Sequence, residues 1–161
     1  MDVNLIKTLG LQVHPEGGYY KQTYVSQLQI TTSDGKTRQL ATAIYYYLES
    51  DDYSSWHRLQ ADEIWHYYSG STLTLHMIDE HGKLTRQHLG NPAKGEGVEP
   101  QVIIPANVWF AAEVDCIDSY TLVGCIVIPG FAWEDFELGK VEDLVKQYPK
   151  HKNIIERLTR R

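Results

Sequence analysis

Short runs of β-branched and aromatic residues, separated by turn-forming residues, fill the chain from about residue 18 to residue 128. Runs of this length and composition are typical of antiparallel strands. The strands that they predict are 19–31, 39–48, 55–59, 63–68, 72–79, 84–89, 101–104, 108–113 and 119–127. Two polar connections, 33–36 (SDGK) and 80–83 (EHGK), place a glycine where a tight hairpin needs a positive φ. The predicted class is therefore all-β.

A length of 161 residues predicts one domain over 1–161, with a β-strand core at about 18–138. Helical pieces are predicted at 2–9, 140–148 and 150–160, and the last two, broken by Pro149, form a C-terminal helical tail over 140–161. The segment 91–100 (NPAKGEGVEP) reads as a surface loop. Nine strands in one domain hide their edges in a sandwich, a closed barrel or a double-sheet jelly roll, and the pattern does not choose among these.

The net charge of −6 is unevenly distributed along the chain. The last sixteen residues hold six Lys or Arg against one Glu, whereas residues 1–145 hold nine basic and twenty acidic side chains, a balance of −11. A body of this charge repels a phosphate backbone, so nucleic acid is not an expected partner. The basic tail reads as a solvated terminal helix, with an anion-binding patch as the alternative.

Hydropathy predicts a soluble protein that does not enter a membrane. No apolar run approaches the 18 or so residues that span a bilayer, and the start MDVNLIKTLG has no signal-peptide pattern, so the expected location is cytoplasmic. Cys116 and Cys125 are the only cysteines, and they read as two reduced core thiols.

The segment 54–70 (SSWHRLQADEIWHYYSG) holds the densest group of reactive and aromatic side chains. Because side chains alternate along a strand, His57 and Leu59 share one face, and Glu63, Trp65 and Tyr67 share a face of the next strand. If the two strands form a hairpin, His57 and Glu63 lie opposite each other on its inner face, close enough for an imidazole to contact a carboxylate or for both to bind a metal.

The spacing of His57, Leu59, Glu63 and Gly70 resembles the first cupin motif, and 105–110 (PANVWF) looks like a worn second motif. Five strings in order resemble the cupin family formerly called domain of unknown function 985: HPEGGYY (14–20), ATAIYY (41–46), HRLQADEIWHYYSG (57–70), PANVWFAA (105–112) and VIPGFAWEDFEL (127–138). This resemblance covers about residues 10–139 and implies a cupin double-stranded β-helix, a jelly-roll barrel. Members of the family have been labelled sugar epimerases by analogy.

Two of the four metal-binding positions of metal-dependent cupins lack a ligand here. His57 and Glu63 match that pattern, but Leu59 stands in place of the second His and Phe110 in place of the third. Catalytic first-row metals usually keep three protein ligands, so no metal or other cofactor is expected. His14 or His66 supplies a third ligand only if a bulge or loop turns it inward.

Without a metal, the pair can still perform acid–base chemistry. A neutral His57 oriented by the Glu63 carboxylate is a candidate general base, and an inward tyrosine can return the proton, which is the equipment for epimerisation next to a carbonyl. Tyr67 is taken as the predicted acid, although the sequence does not rank it above Tyr45, Tyr47 and Tyr120. Glu63 and His57 can equally satisfy each other in a barrel that binds a ligand without changing it.

Further residues are predicted to bind the ligand. Gly17 and Gly18 allow a sharp turn that either feeds the first long strand or brings Glu16 or Lys21 to the barrel mouth. Aromatic residues would form flat walls suited to a sugar ring or a planar heterocycle. The aromatic candidates are Trp65, Trp109, Phe110, Phe131 and Trp133.

These observations predict a cupin that binds a small polar, carbohydrate-like molecule and that is an epimerase or isomerase needing no metal if it is an enzyme. A noncatalytic binding or storage-like cupin is the alternative, and Leu59 and Phe110 disfavour a metal-dependent oxygenase. Cupins commonly pair, so the resemblance also implies a homodimer.

Overall fold

A computed structural model describes residues 3–160, and the parts of the predicted helix and tail at residues 2 and 161 lie outside the described residues. Fourteen strands and three short α-helices make up this region. The elements are α1 (Val3–Leu9), β1 (Gln12–Val13), β2 (Tyr19–Val25), β3 (Gln29–Thr31), β4 (Thr37–Gln39), β5 (Thr42–Glu49), β6 (Tyr53–Leu59), β7 (Asp62–Gly70), β8 (Leu73–Ile78), β9 (Leu84–Leu89), β10 (Val98–Glu99), β11 (Gln101–Ile104), β12 (Trp109–Val114), β13 (Tyr120–Ile128), β14 (Phe136–Leu138), α2 (Val141–Gln147) and α3 (Lys152–Arg157).

Two six-stranded sheets carry the fold. Sheet I has the order β1-β2-β5-β13-β7-β11, and sheet II has the order β10-β9-β8-β12-β6-β14. All their pairings are antiparallel except that of β9 with β10. The main core joins buried side chains of both sheets, including Tyr46 and Trp65 from sheet I and Leu75 and Phe110 from sheet II. The sheets therefore pack face to face, as the predicted jelly roll requires.

The C-terminal helices cover the outer face of sheet II, so the tail is not the solvated helix that the sequence predicted. Ile155 and Leu158 are buried and form a second core with Trp56 and Trp109. The Trp56 indole also donates to the carbonyl of Ile154. Positions 155 and 158 lie one turn apart on a single apolar face, and their burial outweighs the high charge of the surrounding tail.

Two of the predicted strands are interrupted, and both hairpins are confirmed. The 19–31 run breaks between β2 and β3, because the amide of Leu28 donates to the Ser26 hydroxyl and the chain turns there. The 39–48 run is also interrupted, at residues 40–41 between β4 and β5. The glycines of the two hairpin connections, Gly35 and Gly82, have φ values of 81° and 75°. Between residues 3 and 160, no helix is long and apolar enough to cross a membrane.

The short strands β1, β10 and β14 were missed by sequence reasoning, because runs of two or three residues carry no readable alternation. The expectation of two core thiols was half wrong: Cys125 is buried, whereas Cys116 is exposed in the turn before β13.

Candidate functional site

The strands that carry His57 and Glu63 do not form the hairpin that the sequence predicted. β6 pairs with β12 and β14 in sheet II, whereas β7 pairs with β13 and β11 in sheet I. The two-residue connection between them crosses from one sheet to the other. His57 and Glu63 therefore lie on facing walls of one cavity instead of pairing across a ladder.

The cavity has a volume of about 230 Å³ and lies between the inner faces of the two sheets. Its polar lining is dominated by titratable side chains and its apolar lining by aromatic rings. The lining residues are Gln12, His14, Glu16, Tyr20, Gln22, Thr42, Ile44, Tyr46, His57, Leu59, Glu63, Trp65, Cys125, Val127, Phe131, Trp133 and Phe136.

A tight glycine turn brings Glu16 into this cavity. Gly17 and Gly18 have φ values of 121° and 68°, and a Cβ atom at Gly17 would lie 2.0 Å from the carbonyl oxygen of Tyr53. Only glycine permits this conformation together with so close an approach. The turn is held by the amide of Gly18, which donates to Asp52 at 2.8 Å. Glu16 is consequently 5 % exposed and accepts a hydrogen bond from the Ser54 hydroxyl at 2.9 Å.

Glu16 and His57 face each other at hydrogen-bond distance. The Nδ1 atom of His57 lies 2.7 Å from the carbonyl oxygen of Ser55, which only accepts, so Nδ1 carries a hydrogen. The Nε2 atom lies 3.1 Å from Oε2 of Glu16, and an unprotonated ring nitrogen facing an ionised carboxylate would be repulsive, so a proton between them removes this repulsion. Burial lowers the pKa of His57 to about 4 and raises the pKa of Glu16. These directions favour that proton on Glu16 over His57.

Glu63 is buried on the opposite wall without a counterion. Its Oε2 atom has no hydrogen-bond partner, and its side chain is 6 % exposed. Burial raises the pKa of Glu63 to about 8, and the nearby Glu16 carboxyl adds to this rise when it is ionised. The indole Nε1 of Trp65, two residues along the same strand face, is also buried, and its interaction with the Glu63 carboxyl partly offsets the rise although the two make no hydrogen bond of ordinary geometry. Among the described residues, no group therefore fully satisfies this acid and this N–H donor.

Aromatic rings from two segments surround the cavity near its mouth. The rings of His14 and Trp133 stack with their centroids 5.8 Å apart, and Phe131 and Phe136 pack edge-on against Trp133. Trp133 is 52 % exposed, so it forms the outer rim. Burial lowers the pKa of His14, which keeps its ring neutral at this rim.

The structure brings some predicted site residues together and separates others from the cavity. His57, Glu63, Glu16, Trp65, Phe131 and Trp133 line it. Phe110 supports the site from beneath, with its ring centroid 4.0 Å from that of His57.

Tyr67, Lys21 and Trp109 do not line the cavity. The Tyr67 hydroxyl donates to the carbonyl of Gly70, and the Lys21 ammonium donates to the carbonyl of Leu9. Trp109 is on the outward face of β12, where it packs under the C-terminal helices and the guanidinium of Arg58 lies over its ring. Lys21 faces away from the cavity because it alternates with the lining residues Tyr20 and Gln22, whereas Tyr67 shares the face of Trp65 but lies beyond the end of the cavity.

Sequence reasoning missed the partnership of Glu16 with His57 and the placement of His14 and Tyr46. The HPEGGYY string signalled the turn, but the strand that Glu16 faces is far away along the chain. His14 was considered only as a metal ligand, and its inward orientation comes from the same turn, where the amide of Gly17 donates to its carbonyl.

The described residues do not fit the metal site of a metal-dependent cupin. Leu59 and Phe110 contribute only hydrocarbon at two motif positions, and both nitrogens of His57 already contact Ser55 and Glu16. Between residues 3 and 160, no group of three or more His, Cys, Asp or Glu side chains is arranged to hold a metal ion.

Comparisons with known proteins agree with this architecture. A family model described as "Cupin superfamily (DUF985)" matches residues 3–139. Protein SO0799 from Shewanella oneidensis is 39 % identical, with a TM-score of 0.90 over 99 % of this chain and 97 % of that chain. A hypothetical protein from Leishmania major is 32 % identical, with a TM-score of 0.93 over 100 % and 99 % of the two chains.

Two proteins of lower sequence identity are also similar to this chain. A Saccharomyces cerevisiae protein named "Uncharacterized protein YML079W" is 27 % identical, covering 88 % of this chain and 77 % of its own length. Oxalate decarboxylase from Bacillus subtilis shares the fold alone, at 12 % identity and a TM-score of 0.57 over 91 % of this chain and 36 % of that chain.

Proposed function

The chain belongs to the cupin superfamily, in the family described as DUF985, and from that premise we propose that it is a small-molecule isomerase or epimerase that uses buried carboxyl groups and no metal. The observation that carries the proposal is the placement of Glu63 and the Glu16–His57 pair on opposite walls of one cavity. Inversion next to a carbonyl needs a base on one side of the reacting carbon and an acid on the other.

Glu63 is the base in this proposal. A pKa of about 8 lies close to working pH, so an appreciable fraction of the carboxylate is ionised and is far more basic than an ordinary glutamate. The Glu63 carboxylate removes the proton from the carbon next to the carbonyl, and the electron pair of that C–H bond moves to the carbonyl oxygen.

Glu16 is the acid, and His57 is its positioning residue. The Glu16 carboxyl delivers the proton that it shares with His57 to the opposite face of the same carbon, and the carbonyl re-forms. Proton exchange with solvent then returns both carboxyls to their starting states. This assignment replaces Tyr67 as the acid, because the Tyr67 hydroxyl is bonded to Gly70 away from the cavity.

Exchange of a substrate hydrogen with solvent tests the proposal. Candidate sugars and lactones that raise the melting temperature are incubated in D₂O and recovered for mass and NMR analysis. We expect deuterium at the carbon next to the carbonyl with the wild-type protein and no incorporation with Glu63→Gln. Tyr67→Phe is the matched control and should exchange like the wild type.

A ligand that binds tightly and returns without deuterium would contradict the enzymatic proposal. That result would favour the alternative function, a noncatalytic binding or storage-like cupin. Incorporation that survives both Glu63→Gln and Glu16→Gln would remove these carboxyls from the mechanism.

The homodimer implied by the family and the cytoplasmic location both stay predictions. Val13 and Tyr24, 70 % and 55 % exposed, are apolar surface on the β1–β2 side of sheet I that a second copy could cover. Sedimentation velocity at micromolar concentration, with Tyr24→Lys as the disrupting variant, tests the dimer. A single species of about 18.5 kDa would rule it out under those conditions.

A further inference from the structure

Among the described residues, none of those that line the cavity is Lys or Arg. Four cations elsewhere in the fold are paired with other groups: Lys21 with the carbonyl of Leu9, Arg38 with Glu134 and Asp135, Arg58 with Glu137, and Arg160 with Asp52 and the carbonyls of Glu16 and Tyr53. An anionic ligand would enter beside two carboxyl groups with no Lys or Arg of the described lining to balance its charge.

The cavity is also small. Its volume of about 230 Å³ lies below the roughly 300–1,000 Å³ that is usual for drug-sized ligands. One six-membered ring with its substituents is a suitable occupant, and a nucleotide attached to that ring is not. Aromatic faces on both sides of the mouth suit the flat apolar surface of such a ring.

The unsatisfied polar atoms define where the ligand's oxygen lies. Among the described residues, the Nε1 of Trp65 and the Oε2 of Glu63 are both buried on the same face of β7 without a hydrogen bond of ordinary geometry, and the indole interacts only weakly with the Glu63 carboxyl. An N–H group without a well-formed hydrogen bond costs free energy, which a ligand oxygen recovers. A carbonyl oxygen fits Trp65, and the carbon next to it would then lie near Glu63.

We propose that the natural ligand is an uncharged, single-ring carbonyl compound, such as a sugar lactone or a ring keto-sugar, whose carbonyl oxygen accepts the Trp65 indole N–H, and that phosphorylated, carboxylate and nucleotide-linked forms are excluded. The placement of the reacting carbon rests on the proposed function, whereas the exclusion of anions rests on the cavity alone.

Matched pairs of probes test the exclusion of anions. Sugar lactones are compared with the corresponding sugar acids, and ring keto-sugars with their phosphate esters, by thermal shift at 10 mM. We expect the uncharged members to raise the melting temperature, by about 5–10 °C where the probe exceeds its Kd a hundredfold, and the anionic members to leave it unchanged. Equal or larger shifts with the anions, or no shift with any uncharged probe, would overturn the proposal.

A charge inserted at the cavity mouth gives a second readout. Gln22 lines the cavity and Gln27 is exposed outside it, so Gln22→Lys and Gln27→Lys differ only in where the new cation lies. We expect Gln22→Lys alone to gain affinity for the sugar acids, by about tenfold or more. The same gain in Gln27→Lys would show that surface charge, and not the cavity, selects the ligand.

Trp65→Phe separates the N–H donor from the aromatic ring. We expect the uncharged probes to bind at least tenfold more weakly to this variant, measured against its own melting temperature without ligand. Unchanged binding would remove Trp65 from the ligand's contacts. These readouts measure binding only, so a failure here is distinguishable from a failure of deuterium exchange, which concerns the reaction.

Discussion

The Nε2 atom of His57 lies 3.1 Å from Oε2 of Glu16. This contact joins the glycine turn before β2 to the middle of β6, and both partners are almost fully buried. The pair therefore contributes to stability as well as to the proposed chemistry.

We expect His57→Ala to destabilise the fold by about 3–5 kcal/mol, because it removes one buried partner of the Glu16 carboxyl and leaves an empty space against the Phe110 ring. Urea unfolding of His57→Ala, Glu16→Gln and the double variant measures the coupling between the two side chains. A coupling energy of about 1 kcal/mol or more is expected. Additive effects would show that the contact contributes nothing of its own.

The raised pKa of Glu63 makes stability depend on pH. Because its pKa is about 8 in the folded chain against an ordinary 4.5, the folded state holds a proton that the unfolded state has lost between these values. The free energy of unfolding attributable to Glu63 therefore falls as pH rises from 4.5 to 8, by on the order of 3–5 kcal/mol.

Glu63→Gln should remove this dependence. We expect the free energy of unfolding of Glu63→Gln, measured with urea, to rise relative to that of the wild type between pH 5 and pH 9. Glu99→Gln, exposed on β10, is the control and should follow the wild type throughout. Parallel curves for Glu63→Gln and the wild type would mean that the Glu63 carboxyl is not titrating in this window.

The same group sets the expected pH dependence of exchange. If the ionised Glu63 is the base, the rate of deuterium incorporation rises with pH and levels off above an apparent pKa of about 8. A rate that instead declines above pH 8 would make Glu63 the acid and reverse the two roles. The measurement is kcat/KM for exchange from pH 6 to pH 10.

The burial of the tail predicts a large effect far from the cavity. Ile155 is 0 % exposed, so Ile155→Ala should cost about 2–5 kcal/mol through lost burial and the space left behind. Ile117, 88 % exposed, is a matched control whose change to alanine should stay within about 0.5 kcal/mol. Similar unfolding midpoints for the two variants would contradict the packing of α3 on sheet II.

The strands and their class could be predicted from the sequence, because most runs alternate over five or more residues and end at readable turns. Their pairing could not. The two residues between β6 and β7 look like a hairpin connection. The two strands nevertheless join different sheets, because their pairing depends on all six strands of each sheet and not on the connection alone.

Only the part of the candidate site that lies on a single strand could be predicted from the sequence. Glu63 and Trp65 share a strand face, so alternation alone places them together. Glu16 reaches His57 through a turn whose position depends on Tyr53 and Asp52, and no periodicity carries that information. Tyr67 lies on the strand face that the alternation predicts, but it does not line the cavity. The cavity ends before Tyr67, where the β7–β13 ladder shifts register between Ser69 and Tyr67.

Arg160 contacts Asp52 and the carbonyls of Tyr53 and Glu16, the last of these 144 positions earlier in the chain. During synthesis the loop that holds the acid emerges from the ribosome long before the residue that clamps it. The turn that carries Glu16 can therefore gain these contacts only after translation has reached position 160. A chain that stops before Arg160 would lack the side chain that holds this turn in place.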